Sequence, residues 1–131
     1  MSQKITTFLM FEGRAEEAMG FYISLFPGAK MVDIQRYGPE GPDPDGSLLR
    51  ATVEIAGQQF MCFNSDVKHG FTFTPAMSLF VTCDSAEEIT TLAEKLGDGG
   101  QVMMALDTYP FARKYTWLAD RFGVSWQLFL P

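Results

Sequence analysis

The feature that most limits what this chain can fold into is an internal echo. Thr7-Phe8-Leu9-Met10-Phe11-Glu12-Gly13-Arg14-Ala15-Glu16-Glu17 lies over Ser78-Leu79-Phe80-Val81-Thr82-Cys83-Asp84-Ser85-Ala86-Glu87-Glu88 at a constant spacing of 71 residues, with no gap. In each copy an apolar run of strand length meets a short polar turn and then Ala-Glu-Glu. Apolar residues follow at three- and four-residue spacing: Ala18, Phe21, Tyr22 and Leu25 in one copy, Ile89, Leu92, Ala93 and Leu96 in the other. That spacing puts one apolar stripe on a helix. In the second copy Asp84 or Ser85, with Glu87 or Glu88 three residues on, offers a capping box. Pro27-Gly28 is expected to stop the first helix and Gly97 the second.

Three strands are predicted after the first helix, at 29–37, 48–55 and 58–64, the last two joined by Ala56-Gly57 as a tight hairpin turn. The Pro- and Gly-rich stretch 38–47 is a loop. After the second helix the strands are 101–106, 115–119 and 125–130. The order is β-α-β-β-β, twice. An α+β fold is predicted, with mixed sheets, as one domain over 1–131 built from modules at about 4–65 and 76–131.

Composition removes several function classes. With 47% hydrophobic and 20% charged residues, the chain can close a core and is not a disordered segment. Ten Lys plus Arg against sixteen Asp plus Glu leave a net charge of -6, which disfavours nucleic acid and anionic membrane surfaces. No apolar run reaches the length of about 18 residues that spans a bilayer. Met1 to Lys4 leads into no signal-peptide core, so the cytoplasm is the expected location. Cys62 and Cys83 sit in apolar runs and are expected to be reduced, packed thiols.

Three segments carry a family likeness: Phe11 to Ala18, Ser78 to Asp84, and Asp120-Arg121-Phe122-Gly123-Val124-Ser125-Trp126-Gln127. With the doubled β-α-β-β-β order, they make the chain similar to the vicinal-oxygen-chelate superfamily of glyoxalase I, fosfomycin-resistance enzymes and bleomycin-binding proteins. Within it the chain resembles the PhnB-like branch, often labelled 3-demethylubiquinone-9 3-methyltransferase. The resemblance implies cupped sheets enclosing a ligand cavity, helices on the convex faces, and a homodimer. Eight Met and twelve Phe also suit an interface.

The superfamily's metal ligands come from the first and last strands of each module. Carried over by the strand–turn–helix frame, those positions are Thr7, Cys62, Ser78 and Gln127, where the superfamily typically has His or Glu. Hydroxyls and an amide are weak neutral substitutes for those donors, so no metal and no cofactor is expected. The one histidine, His69, falls in the linker between modules. The four positions would instead line a cavity for a small-molecule ligand, framed by Leu9, Phe80 and Phe129. Trp117 is a candidate at the cavity edge, and Arg121 a candidate clamp for an anionic group. Trp126, one residue from Gln127, should point towards a helix.

The leading expectation is a metal-free binding protein. The alternative is an enzyme of lyase, isomerase or dioxygenase type, using an atypical metal site or Asp120 as acid–base. The competing reading of Asp120 is a cap for the turn before the last strand. A third possibility is an interaction domain whose cavity its own side chains fill. An S-adenosylmethionine methyltransferase is excluded, because that chemistry needs a doubly wound sheet and a glycine-rich turn that this chain lacks.

Overall fold

The computed structural model describes residues 3–131 and divides into two compact units, Met1–Gly70 and Phe71–Pro131. In the first, β1 (Thr7–Phe11), α1 (Ala15–Leu25), β2 (Lys30–Arg36), β3 (Leu48–Ile55) and β4 (Gln58–Asn64) follow in turn. In the second come β5 (Ser78–Thr82), α2 (Ala86–Gly97), β6 (Gln101–Tyr109), β7 (Ala112–Ala119) and β8 (Ser125–Leu130). Each unit is a four-stranded mixed sheet, ordered β1-β4-β3-β2 and β5-β8-β7-β6. One parallel pair, first strand against last, closes each sheet, and the other pairings are antiparallel. The α+β fold read from the doubled pattern is the fold observed.

One face of each sheet is sealed by its helix. In the first unit Leu9, Phe11, Ala51, Val53 and Cys62 are buried on the side of α1, whose own buried residues are Ala15, Ala18, Met19 and Tyr22. In the second unit Leu118, Trp126 and Leu128 are buried on the side of α2, against Ile89, Leu92 and Leu96. Strand alternation sends the remaining side chains to the opposite face.

The two strand–helix junctions differ. Ser85 caps α2 by accepting from Glu88 N (3.1 Å), and Glu88 Oε1 accepts in return from Asp84 N (2.7 Å). This is the predicted capping box with one change, since Glu88 accepts from the N–H of Asp84 rather than from that of the N-cap Ser85. Arg14, at the same place before α1, makes no side-chain cap. Instead Asn64, buried at the end of β4, accepts from Gly13 N (3.2 Å) and Ala15 N (2.9 Å) through Oδ1. Gly13 has φ +98°, a conformation an L side chain resists.

Gly13 makes the first turn one residue longer. Between the last buried residue before the turn, Phe11 or Cys83, and the helix stand Glu12, Gly13 and Arg14 in one unit, but only Asp84 and Ser85 in the other. The helices therefore start 71 residues apart, while the strands correspond at 72. Two ring pairs mark that register: Phe8 on Phe63 (4.9 Å) and Phe80 on Phe129 (5.6 Å), both on the face away from the helix. A one-residue slip moves every side chain to the other face.

Smaller differences from expectation lie at element ends. Gly97 is the last residue of α2 rather than its stop, and Gly99 takes the left-handed conformation (φ +74°). The β6–β7 hairpin runs further than its sequence pattern indicated, turning at Pro110-Phe111.

Candidate functional site

The face of the second sheet away from α2 carries a chain of hydrogen bonds. Ser78, Ser125, Gln127, Tyr115 and Trp117 reach it from β5, β8 and β7, because Ser78 stands opposite Ser125 and Trp117 opposite Gln127 in the ladders. Tyr115 Oη donates to Gln127 Oε1 (2.5 Å), and Gln127 Nε2 donates to Ser78 Oγ (3.2 Å). Ser78 Oγ and Ser125 Oγ are 2.7 Å apart, and Trp117 Nε1 donates to Ser125 Oγ (2.9 Å). Burial pushes the Tyr115 phenol above its ordinary range, and the neighbouring Tyr109 adds to that shift, so Tyr115 is a neutral donor at physiological pH.

Rings frame this polar strip. Phe80 and Phe129 lie beside Gln127, and Tyr115 is held edge-on by Tyr109 (5.7 Å) and Phe111 (5.0 Å). Phe80 and Phe111 are each 57% exposed, so the aromatic surface is not consumed by the core. Uncharged hydrogen-bonding groups set in exposed aromatic surface suit a small, largely apolar ligand.

Ser78, Gln127 and Trp117, three of the candidates from sequence, are thus brought together. Thr7 and Cys62 are not, and here the structure corrects the expectation. Thr7 shares the helix-covered face of Leu9, and Cys62 is fully buried beneath α1. Leu9, expected beside them as cavity lining, is buried there too. For Thr7 the cause is the extra residue at Gly13, since a frame anchored on the helix start lands one residue off in β1; the expectation for Cys62 rests on aligning β4, a strand without a distinctive motif. Residues on the other face at this level are Phe8 and Met61, ladder partners across β1 and β4. Burial pushes both thiols, Cys62 and Cys83, up to about 11, so neither is a ready nucleophile.

Asp120 is a turn-former. It is 3% exposed, and its Oδ1 accepts from Phe122 N (2.9 Å) and Val124 N (3.1 Å) while Oδ2 accepts from Trp126 Nε1 (2.9 Å). The carboxylate closes the β7–β8 connection and anchors the indole of Trp126 on the α2 side. Arg121, in the same turn, lays its guanidinium over the Phe122 ring at 5.2 Å. Sequence reading missed Ser125 and Tyr115 as members of the polar strip. Strand alternation held the signal, since Ser125 is two residues from Gln127 and Tyr115 two from Trp117.

Hollows in the first unit include one of about 220 Å3, lined by Phe8, Gln35, Leu49, Arg50 and Phe63. Another, of about 530 Å3, lies beside the Gly13 turn and includes Glu12, Asp43, Asp66 and Lys68. Among the described residues no three His, Cys, Asp or Glu side chains converge in a way that could hold a metal ion. Ser78 and Gln127 offer only neutral oxygen and nitrogen, a donor set that does not fit a divalent ion.

Comparison with known proteins decides the family. The family model described as 3-demethylubiquinone-9 3-methyltransferase matches residues 3–129. The chain belongs to that family. A PhnB protein of Bacillus cereus that carries the same description is 56% identical, with 98% of this chain and 100% of that one covered and a TM-score of 0.95. An uncharacterized protein of Mycobacterium bovis is 27% identical over 126 residues, covering 89% of this chain and 76% of its own length. The fosfomycin-resistance protein FosX of Listeria monocytogenes shares the fold, with a TM-score of 0.65 at 10% identity, covering all of this chain and 94% of its own. Among the described residues of this chain no helix is long and apolar enough to cross a membrane.

Proposed function

We propose that this family member is a metal-free small-molecule-binding protein of glyoxalase and bleomycin-resistance type, and that its ligand rests on the Ser78–Gln127 face of the second unit. The observation that carries the reading is the hydrogen-bonded strip from Tyr115 to Trp117 inside an exposed aromatic frame. Such a surface holds a ligand by desolvation and directed neutral hydrogen bonds. A methyltransferase acting through S-adenosylmethionine does not suit a chain whose sheets each contain a single parallel pair. Acid–base chemistry by Asp120 would require its carboxylate to release the turn and the indole it holds.

The protein would act as a homodimer in the cytoplasm. Phe8, Phe80, Val102 and Phe111 are each more than half exposed, and apolar side chains of that size favour a covered surface. Native mass spectrometry of freshly purified protein, without added metal or chelator, tests the whole reading. A metal-free dimer, above all one retaining an organic adduct, is the expected result. A stoichiometric metal mass would overturn it and favour an enzyme with an atypical site.

A further inference from the structure

Resting on that binding-face reading, we propose that Ser78 and Gln127 together present two hydrogen-bond donors, so that the face takes a planar ligand by an acceptor oxygen such as a carbonyl and discriminates against a donor-only group such as an ammonium.

The inference comes from following each proton. An indole N–H can only donate, so Ser125 Oγ must accept from Trp117. Ser125 is 1% exposed, and a buried hydroxyl proton without an acceptor is costly. Its proton goes to Ser78 Oγ, 2.7 Å away. At the other end, 2.5 Å between Tyr115 Oη and the Gln127 side chain is an O–H···O spacing, shorter than N–H···O contacts run. The amide oxygen therefore faces Tyr115 and the amide nitrogen faces Ser78, at 3.2 Å.

Ser78 Oγ then accepts twice, from Ser125 and from Gln127, and both its lone pairs are engaged. Its own proton must leave the strip. Gln127 Nε2 likewise has one N–H beyond the bond to Ser78. Both residues are half-buried, whereas Ser125 is closed off, so the unused donors sit at the accessible end. The two donor atoms are near enough for one ligand oxygen to accept from both. Tyr115 is the positioning residue: by donating to Oε1 it keeps the amide from turning round. No charged side chain takes part in the strip, so the preference is for acceptor geometry and not for net charge.

The test uses the full-length protein and two probes of the same ring size, 2-acetylnaphthalene and 1-(2-naphthyl)ethylammonium, titrated calorimetrically at pH 7. The ketone should bind at least tenfold more tightly, although a net charge of -6 would by itself draw the cation. Ser78→Ala and Gln127→Glu should weaken ketone binding and narrow the difference. Tyr115→Phe, which frees the amide to rotate, should reduce the preference more than it reduces binding of the ammonium. Circular-dichroism melts identify any variant that fails to fold, and the wild-type comparison stands without the variants. Equal binding of the probes, or tighter binding of the ammonium, would overturn the donor pair and leave the binding face standing. Binding of neither would overturn both.

Discussion

The two units meet the same junction problems with different chemistry. At the strand–helix turn the second unit uses a local solution, Ser85 accepting from Glu88 N and the Glu88 carboxylate from Asp84 N, all within five residues. The first uses a distant one, Asn64 reaching from β4 to Gly13 and Ala15 across some 50 residues of chain. At the hairpin into the last strand the roles reverse. The first unit turns in two residues, Ala56 (φ 53°) and Gly57 (φ 79°), with nothing but backbone. The second needs the Asp120 carboxylate to organise a longer connection. A local cap can be read from a sequence window, whereas a long-range one ties two elements together and is invisible until they meet.

The largest break in this comparison should come from Asp120→Ala. It strands two backbone N–H groups and the Trp126 indole in a buried place, and a loss of about 3 kcal/mol or more is expected in urea unfolding. Should Asp120→Ala unfold like the wild type, the turn-forming role would be wrong and an acid–base role would regain interest. Next come the two caps. Asn64→Ala should cost about 2 kcal/mol, because the orphaned N–H groups are part-buried at Gly13 and buried at Ala15, and Ser85→Ala about 1 kcal/mol, because its site is exposed. Equal losses would erase the distinction between local and distant capping.

A gain is expected at the short hairpin. Ala56 holds a left-handed conformation that Asn tolerates better, so Ala56→Asn should stabilise by about 0.5–1 kcal/mol and raise the melting midpoint. The smallest effect is at the surface of the first unit. Arg36, by hydrogen bonding to Glu16 at 2.8–2.9 Å, holds the Glu16 carboxyl below its ordinary range. A depressed folded pKa means that the unfolded chain takes the proton first as pH falls. The pair's contribution is therefore fully present above about pH 4.5 and disappears as pH drops through the folded value. Wild type and Glu16→Gln should differ slightly at pH 6 in low salt, and converge at pH 3 or in high salt.

Much of the fold was legible. The repeat at 71 residues announced two modules, and the Ser85–Glu88 box and the β3–β4 hairpin appeared where local chemistry placed them. That Ser78, Gln127 and Trp117 share one sheet face was legible because the second unit's frame runs without an extra residue. Thr7 was misplaced because a gapless overlay cannot reveal that one turn absorbs a residue at Gly13, and Cys62 because β4 carries no motif that fixes its register. Asp120 was ambiguous for another reason: a carboxylate in a turn looks the same in sequence whether its acceptors face solvent or a buried indole.

The sequence by itself determined the elements, their order and their duplication, because periodicity and caps act over a few residues. Only the tertiary structure decided which face each strand shows and which polar groups meet. Strand faces alternate with a period of two, so a single turn residue reverses them. Hydrogen bonds such as Gln127 to Ser78 join residues 49 positions apart, and nothing in either neighbourhood records the other.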